Sequence, residues 1–262
     1  MGENLLPETA ADLGSANNIL PFSQRSSQRR PSPATVLDYL YGVIDGTRLG
    51  LSEEDLERLF TFASNSPAAR ALRCRRRMIA RAIDDTCLRI GPDARILCIG
   101  GDHFREAELS QAIRHHAFNE LLVFEPNRAC QAVVAEEYGP WGVQTCSGSL
   151  EQLLGGQLHF ARYDLVYSAG LCDHLDDPAC LLLATLLFKA LKPGGRLLLG
   201  SMRKGIANLD HLESLLNWRP RCRRDDQLLD LLQGIDYNQI ANARVVHDIG
   251  HRIAFLEALR YG

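Results

Sequence analysis

The period of the apolar positions changes near residue 94, and that change divides the chain. Before it the spacing is helical. Val36, Leu37, Leu40, Val43 and Ile44 predict one helix, and Leu56, Leu59, Phe60 and Phe62 predict a second. Ser52 with Asp55 marks the start of the second, because a serine oxygen accepts from a free backbone N–H in the first turn. Ser66-Pro67 marks the start of a third, with serine as N-cap and proline in the first turn. From Ala94 onward short apolar strands alternate with helices. Strands are predicted at Arg95–Gly100, Glu120–Glu125, Gly142–Cys146, Tyr163–Ser168 and Arg196–Gly200. Helices are predicted through Leu109, Ala112 and Ile113, then over Arg128–Tyr138 and Pro178–Leu191. Such alternation predicts a parallel sheet covered by helices on both faces. The end differs. Ala243–Asp248 and Arg252–Leu259 are joined only by Ile249-Gly250-His251, which makes an antiparallel hairpin, since a parallel return needs a crossover.

Residues 1–33 lack any such period. Ser23 to Pro33 is polar, carries two prolines and reads as a linker. Leu5, Leu6, Leu13, Ile19, Leu20 and Phe22 before it are either a lid or a frayed terminus. The expected organisation is an N-terminal segment over 1–33, a helical cap over 34–91 and an α/β domain over 92–262.

Composition narrows the function classes. A chain of 262 residues with 46% hydrophobic residues buries a full core and is not disordered. Its longest apolar runs, such as Leu181–Phe188, fall well short of the roughly 20 residues of a membrane helix. A net charge of -3 gives no general argument for nucleic acid. The helix after Ser66 does carry Arg70, Arg73, Arg75, Arg76, Arg77 and Arg81. With no aromatic stacking platform among them, the expectation is a solvated face, with Leu72, Ile79 and Ile83 turned inward. The 8 cysteines form no CxxC pair and no Cys/His set with zinc spacing, so the expectation is a reduced cytoplasmic protein without a metal.

Candidate chemistry gathers at the ends of the predicted strands. The first ends in Gly100-Gly101-Asp102 before a helix. Glycines there let a ligand approach the backbone, and a helix start offers free N–H groups. The second ends in Glu125, 25 residues after Gly100. A carboxylate at that place accepts from ribose hydroxyls, and Pro126 lies beside it. Together the two features indicate a nucleoside site at the carboxyl edge of adjacent strands.

Tyr163-Asp-Leu-Val-Tyr-Ser168, followed by a helix and then Leu191-Lys-Pro-Gly-Gly-Arg-Leu-Leu-Leu-Gly200, resembles the class I S-adenosylmethionine-dependent methyltransferases over about residues 67–261. The resemblance implies a Rossmann-like α/β fold. Its seven-stranded sheet has an antiparallel last strand, and S-adenosylmethionine is its cofactor. More narrowly, Tyr167-Ser-Ala-Gly-Leu-Cys-Asp-His-Leu175 is similar to "YSAGLFDYL" of methyltransferases of 3-hydroxypalmitic acid methyl ester biosynthesis. Ser66–Arg77 likewise resembles their "PAxxAxRxRR" helix. Azetidine-2-carboxylate synthases, which cyclise S-adenosylmethionine itself, look like relatives of the same kind, and no motif separates the two types. The first loop departs from the family's Gly-Cys-Gly-Pro-x-x-Glu. Gly100 and Glu106 match, Asp102 replaces the second glycine, and His103 replaces the proline. Asp102 either crowds the cofactor or holds its ammonium.

The resemblance implies a small-molecule acceptor in secondary or signal metabolism, with cofactor cyclisation as the alternative and a non-catalytic binding protein as a third reading. Tyr167 and Ser168, ending the fourth strand, are candidates beside the cofactor. Tyr167 faces the sulfonium, hydrogen-bonds the substrate, or packs half-buried. Asp173 and His174 are candidates for a base or a substrate anchor, or for a solvated helix cap. Ser147 and Ser149 follow the third strand, where this fold contacts adenine. Ser201, expected after the fifth strand, borders the same edge. Tyr39 and Tyr41 either close the pocket or pack.

Overall fold

Alternate residues of each strand point to opposite faces, and here they enter two separate cores. Ile96, Cys98, Leu121, Val123, Leu165, Tyr167, Leu198 and Phe255 enter one. Leu97, Ile99, Phe124, Val166, Leu197, Leu199 and Leu256 enter the other. The computed structural model describes residues 31–210, 213 and 219–262. The expectations for Leu5 through Pro7 and onward to residue 30 lie outside the described residues.

Seven strands form one sheet: β1 (Arg95–Ile99), β2 (Glu120–Phe124), β3 (Val143–Cys146), β4 (Tyr163–Ser168), β5 (Leu191–Met202), β6 (Ile240–His247) and β7 (Ile253–Arg260). Their order is β3-β2-β1-β4-β5-β7-β6. The first five pair in parallel, and β7 inserts antiparallel between β5 and β6. This is the seven-stranded Rossmann-like arrangement with an antiparallel last strand. All six residues of β4 are buried, as a central strand covered on both faces requires.

The helices are α1 (Pro33–Tyr41), α2 (Glu53–Asn65), α3 (Pro67–Ile90), α4 (Gln111–Arg114), α5 (Arg128–Tyr138), α6 (Leu150–Leu154), α7 (Asp177–Lys189) and α8 (Asp225–Asp230). Their starts follow the sequence. Ser52 accepts from Asp55 N at 3.2 Å, Ser66 from Ala69 N at 2.9 Å, and Asp176 from Ala179 N at 2.9 Å. Residues of α1, α2 and α3 belong to the same apolar cluster as Ile96, Leu165 and Leu198, so the helical cap and the sheet share a core. No described helix is long and apolar enough to cross a membrane.

Three expectations are corrected. No regular helix follows Gly101-Asp102 directly. A 3-10 turn over Arg105–Glu108 comes first, entered through Phe104 in the left-handed region, and only the four-residue α4 follows. Ser201 lies inside β5 rather than after it, because pairing with β7 runs on to Met202. The arginines of α3 are not one solvated face. Arg75 and Arg76 are buried, and Arg73 donates to the carbonyls of Leu40 and Ala63.

Candidate active site

The register sets Ile99 beside Phe124 and Cys98 beside Tyr167. The loops that begin at Gly100, Glu125 and Ala169 therefore leave the sheet at one carboxyl edge. Open α/β sheets bind ligands at such an edge.

The loop after β1 has an unusual backbone. Gly100, Asp102 and Phe104 all have positive φ, at 71°, 48° and 55°. Asp102 thus adopts the conformation that suits a glycine, at a small steric cost for an aspartate. Gly101 is required by close approach, since a Cβ there would lie 2.7 Å from Val123 Cγ1. Glu125 closes the loop. Its Oε2 accepts from Asp102 N and its Oε1 from Asn127 N, both at 2.9 Å. Each oxygen keeps a second lone pair. Burial pushes the Glu125 carboxyl above its usual range, with these amides opposing.

The helical cap grips this loop from two sides. Asp38 of α1 accepts from Arg105 Nε and Nη2 at 2.7 and 2.8 Å, and pairs with His103 Nδ1 at 2.7 Å. Burial opposes the Asp38 charge, but Arg105 and His103 outweigh it and hold the carboxyl below its ordinary range. His103 is thereby committed to α1. From α3, Arg76 Nε donates to Arg105 O at 2.7 Å, and its Nη2 pairs with Glu108.

Arg75, one position earlier, projects about 100° away round the helix and faces the site. It is 6% exposed, and its Nη1 has no hydrogen-bond partner among the described residues. A buried donor in that state costs about 1–3 kcal/mol. Desolvation works against the Arg75 charge, but Tyr41, Asp173 and Asp102 restore it, and its pKa rises. The sequence pattern put Arg75 on a solvated face and left Tyr41 between closing the pocket and packing. The signal was present. Arg75 and Arg76 fall at the same three- and four-residue steps as Leu72, Ile79 and Ile83, which places two cations on the inward stripe.

The remaining candidates divide. Asp173 is fully buried, not a solvated cap, because Asp176 caps α7. Asp173 Oδ1 accepts from Ser201 Oγ at 2.8 Å and from Met202 N at 3.1 Å. Burial raises its carboxyl to about 6, against the pull of Arg75, Ser201, the Met202 amide and Arg223. Arg223, also missed, holds the turn over 171–175 by donating to Leu175 O at 2.7 Å. His174 is exposed at the rim. Desolvation of its ring and the charge of Arg75 lower the imidazole to about 4. Tyr167 is completely buried rather than half-buried, and its hydroxyl donates to Glu106 Oε1 at 2.8 Å. Ser168 is buried, and its Oγ has no partner among the described residues. Ser147 and Pro126 are exposed at the edge. Ser149 is the N-cap of α6 and accepts from Gln152 N at 3.2 Å, so its hydroxyl already has a structural task. Among the described residues, no group of three His, Cys, Asp or Glu side chains could hold a metal.

Sheet order, the inserted β7 and the edge loops together define the class I methyltransferase fold. No family model matches the chain, and no curated protein does. Solved structures do. The chain is similar to a possible exported protein from Bordetella parapertussis, with a TM-score of 0.66 and 19% identity, over 89% of this chain and 81% of that one. It is similar to the CurJ carbon methyltransferase, with a TM-score of 0.60 and 14% identity, over 88% of this chain and 67% of that one. The S-adenosylmethionine-dependent methyltransferase SibL gives a TM-score of 0.59 and 16% identity, over 90% of this chain and 64% of SibL. At these identities the common property is the fold.

Proposed function

We propose that this protein binds S-adenosylmethionine and transfers its methyl group to a small-molecule acceptor, such as a carboxylate, in secondary or signal metabolism. The observation that carries the reading is the unpartnered, buried Nη1 of Arg75 within electrostatic reach of Asp102, whose amide Glu125 holds. Glu125 supplies the second lone pairs of its two oxygens to the ribose hydroxyls. Arg75 takes the methionine carboxylate, which satisfies its orphaned donor. Asp102, open to solvent on one side, has its carboxyl pushed up by burial with Arg75 and His103 opposing, and takes the ammonium. Its place in the loop then supports a clamp on both charges of the amino acid rather than a steric block. Tyr41 closes over Arg75, and Asp173 with Ser201 positions it. When bound, S-adenosylmethionine supplies an electrophilic methyl group on sulfur.

Base strength favours the acceptor class. Asp173 is buried and accepts two hydrogen bonds. His174, at about 4, is a weak base. A carboxylate acceptor needs no strong base, whereas an alcohol benefits from one. The 8 cysteines are all unpaired, which supports a reducing, cytoplasmic location.

The test is mass spectrometry of purified protein with S-adenosylmethionine alone, then with fatty acids and other small carboxylates. A methyl ester with S-adenosylhomocysteine is the expected product. Methylthioadenosine and a four-carbon cyclic amino acid from S-adenosylmethionine alone would replace methyl transfer by cyclisation. Failure to bind S-adenosylmethionine would end both readings.

A further inference from the structure

The helix α3 and the β5–β7–β6 side of the sheet line a cavity of about 550 Å³ that opens to solvent. Small-molecule sites are roughly 300–1,000 Å³. Its floor is apolar, made by Ile79 and Ala82 of α3, Leu198 of β5, Val246 of β6 and Phe255 of β7. Arg77, Arg81 and Asp85 line one rim. They are four residues apart on α3, so they stand one above another along the helix. All three are exposed.

Charges elsewhere around the cavity already have partners. Arg244 donates to Glu257 at 2.6 Å, and Arg196 lies 3.5 Å from the same carboxylate and donates to Ala82 O at 2.8 Å, while its buried Nε has no partner among the described residues. Asp248 accepts from Arg252 N at 2.5 Å and from Ile253 N at 2.8 Å. Arg77 and Arg81 have neither a hydrogen bond nor an ion pair among the described residues. Two uncompensated cations therefore border an apolar hollow. Asp85, one turn past Arg81, repels an anion from that end.

We propose that this cavity binds a small amphipathic anion. Its alkyl or aryl body lies against Ile79, Leu198 and Phe255, and its single carboxylate or phosphate head sits between Arg77 and Arg81. The cavity shares no lining residue with Gly100, Asp102, Glu125, Arg75 or Asp173, so the site is separate from the one described above and does not depend on that reading.

Calorimetric titration of the full chain with decanoate tests this, with decanol as the uncharged counterpart. Decanoate should bind saturably, one to one, and decanol about tenfold or more weakly, since one charged contact accounts for roughly a factor of ten. The Arg77→Ser, Arg81→Ser double variant should lose that preference for the anion. Val246→Trp, which fills the cavity from β6, should abolish binding of both. Saturating S-adenosylmethionine should leave decanoate affinity unchanged. The proposal is overturned by an absence of saturable binding, by equal affinity for decanol, by binding that survives both variants, or by displacement with S-adenosylmethionine.

Discussion

Arg75 and Gly170 are in direct contact: a Cβ on residue 170 would stand 2.5 Å from Arg75 Nη1. Gly170 has a φ of -155° with a ψ of 1°, outside the regions that residues with a side chain favour, so backbone and space both select glycine there. Gly170→Ala should push the guanidinium aside without breaking the fold, because the displaced group is the end of a flexible side chain. The expected result is a drop of about tenfold in S-adenosylmethionine affinity by calorimetry. The melting temperature should fall by roughly 2–8 °C, from about 1–2 kcal/mol of backbone strain.

Arg75→Met should remove the carboxylate partner directly. A charge-assisted hydrogen bond contributes about 1.5–3 kcal/mol, hence a loss of roughly ten- to a hundredfold. The loss should appear with S-adenosylmethionine and S-adenosylhomocysteine but not with decarboxylated S-adenosylmethionine or methylthioadenosine. An equal loss with all four ligands would show that Arg75 supports the edge generally.

Glu125→Gln should act differently. It replaces one acceptor oxygen by an N–H donor facing the Asp102 or Asn127 amide. Affinity for S-adenosylmethionine and methylthioadenosine should fall together, by about tenfold or more, because both carry the ribose. A selective effect on S-adenosylmethionine would contradict ribose binding by this carboxylate.

Asp173 makes stability pH-dependent. Its folded pKa, about 6, lies above the ordinary value of 3.8, so between those values the folded state binds more protons than the unfolded one. Stability contributed by the protonated form is present below about 4 and is lost as pH rises to about 6. The whole effect is roughly 2–3 kcal/mol for a shift of this size. Asp173→Asn keeps an acceptor for Ser201 and Met202, and chemical denaturation at pH 4 and pH 7 should show the decline abolished.

Asp38 has the opposite sign. Its carboxyl is held below the ordinary range, so its contribution is present above about 4 and is lost as pH falls through the folded value. Asp38→Ala should destabilise the protein by about 3 kcal/mol, because Arg105 loses its bidentate partner inside the protein. The cap helices should loosen first, which hydrogen exchange of α1 would detect.

Much of the fold was legible because strand and helix periods are local properties. β4 was read at Tyr163–Ser168, as observed, and Ser52 and Ser66 cap the helices they were expected to start. The hairpin of β6 and β7 followed from the short link between them. Gly100 and Glu125 were legible as an edge pair because strand ends in a parallel sheet share one side. The turn after β1 was misread because Phe104 needs a positive φ that no local pattern reveals.

What the sequence by itself determined was the alternation of elements, their caps, and the acidic and glycine positions at the carboxyl edge. Only the tertiary structure decided the fate of the arginines on α3. On a helix wheel Arg75 and Arg76 sit on the inward stripe, but an arginine on that stripe is stable only when distant groups meet it. Those groups come from Tyr41, Glu108, Asp173 and the carbonyl of Arg105, 29 to 98 residues away for the last three. Solvation strongly favours an exposed guanidinium, and a one-dimensional pattern carries no term for partners brought together by the sheet. The same reason separates Arg75, buried beside Gly170, from Arg77 and Arg81, which remain at the rim of the cavity over β5, β7 and β6.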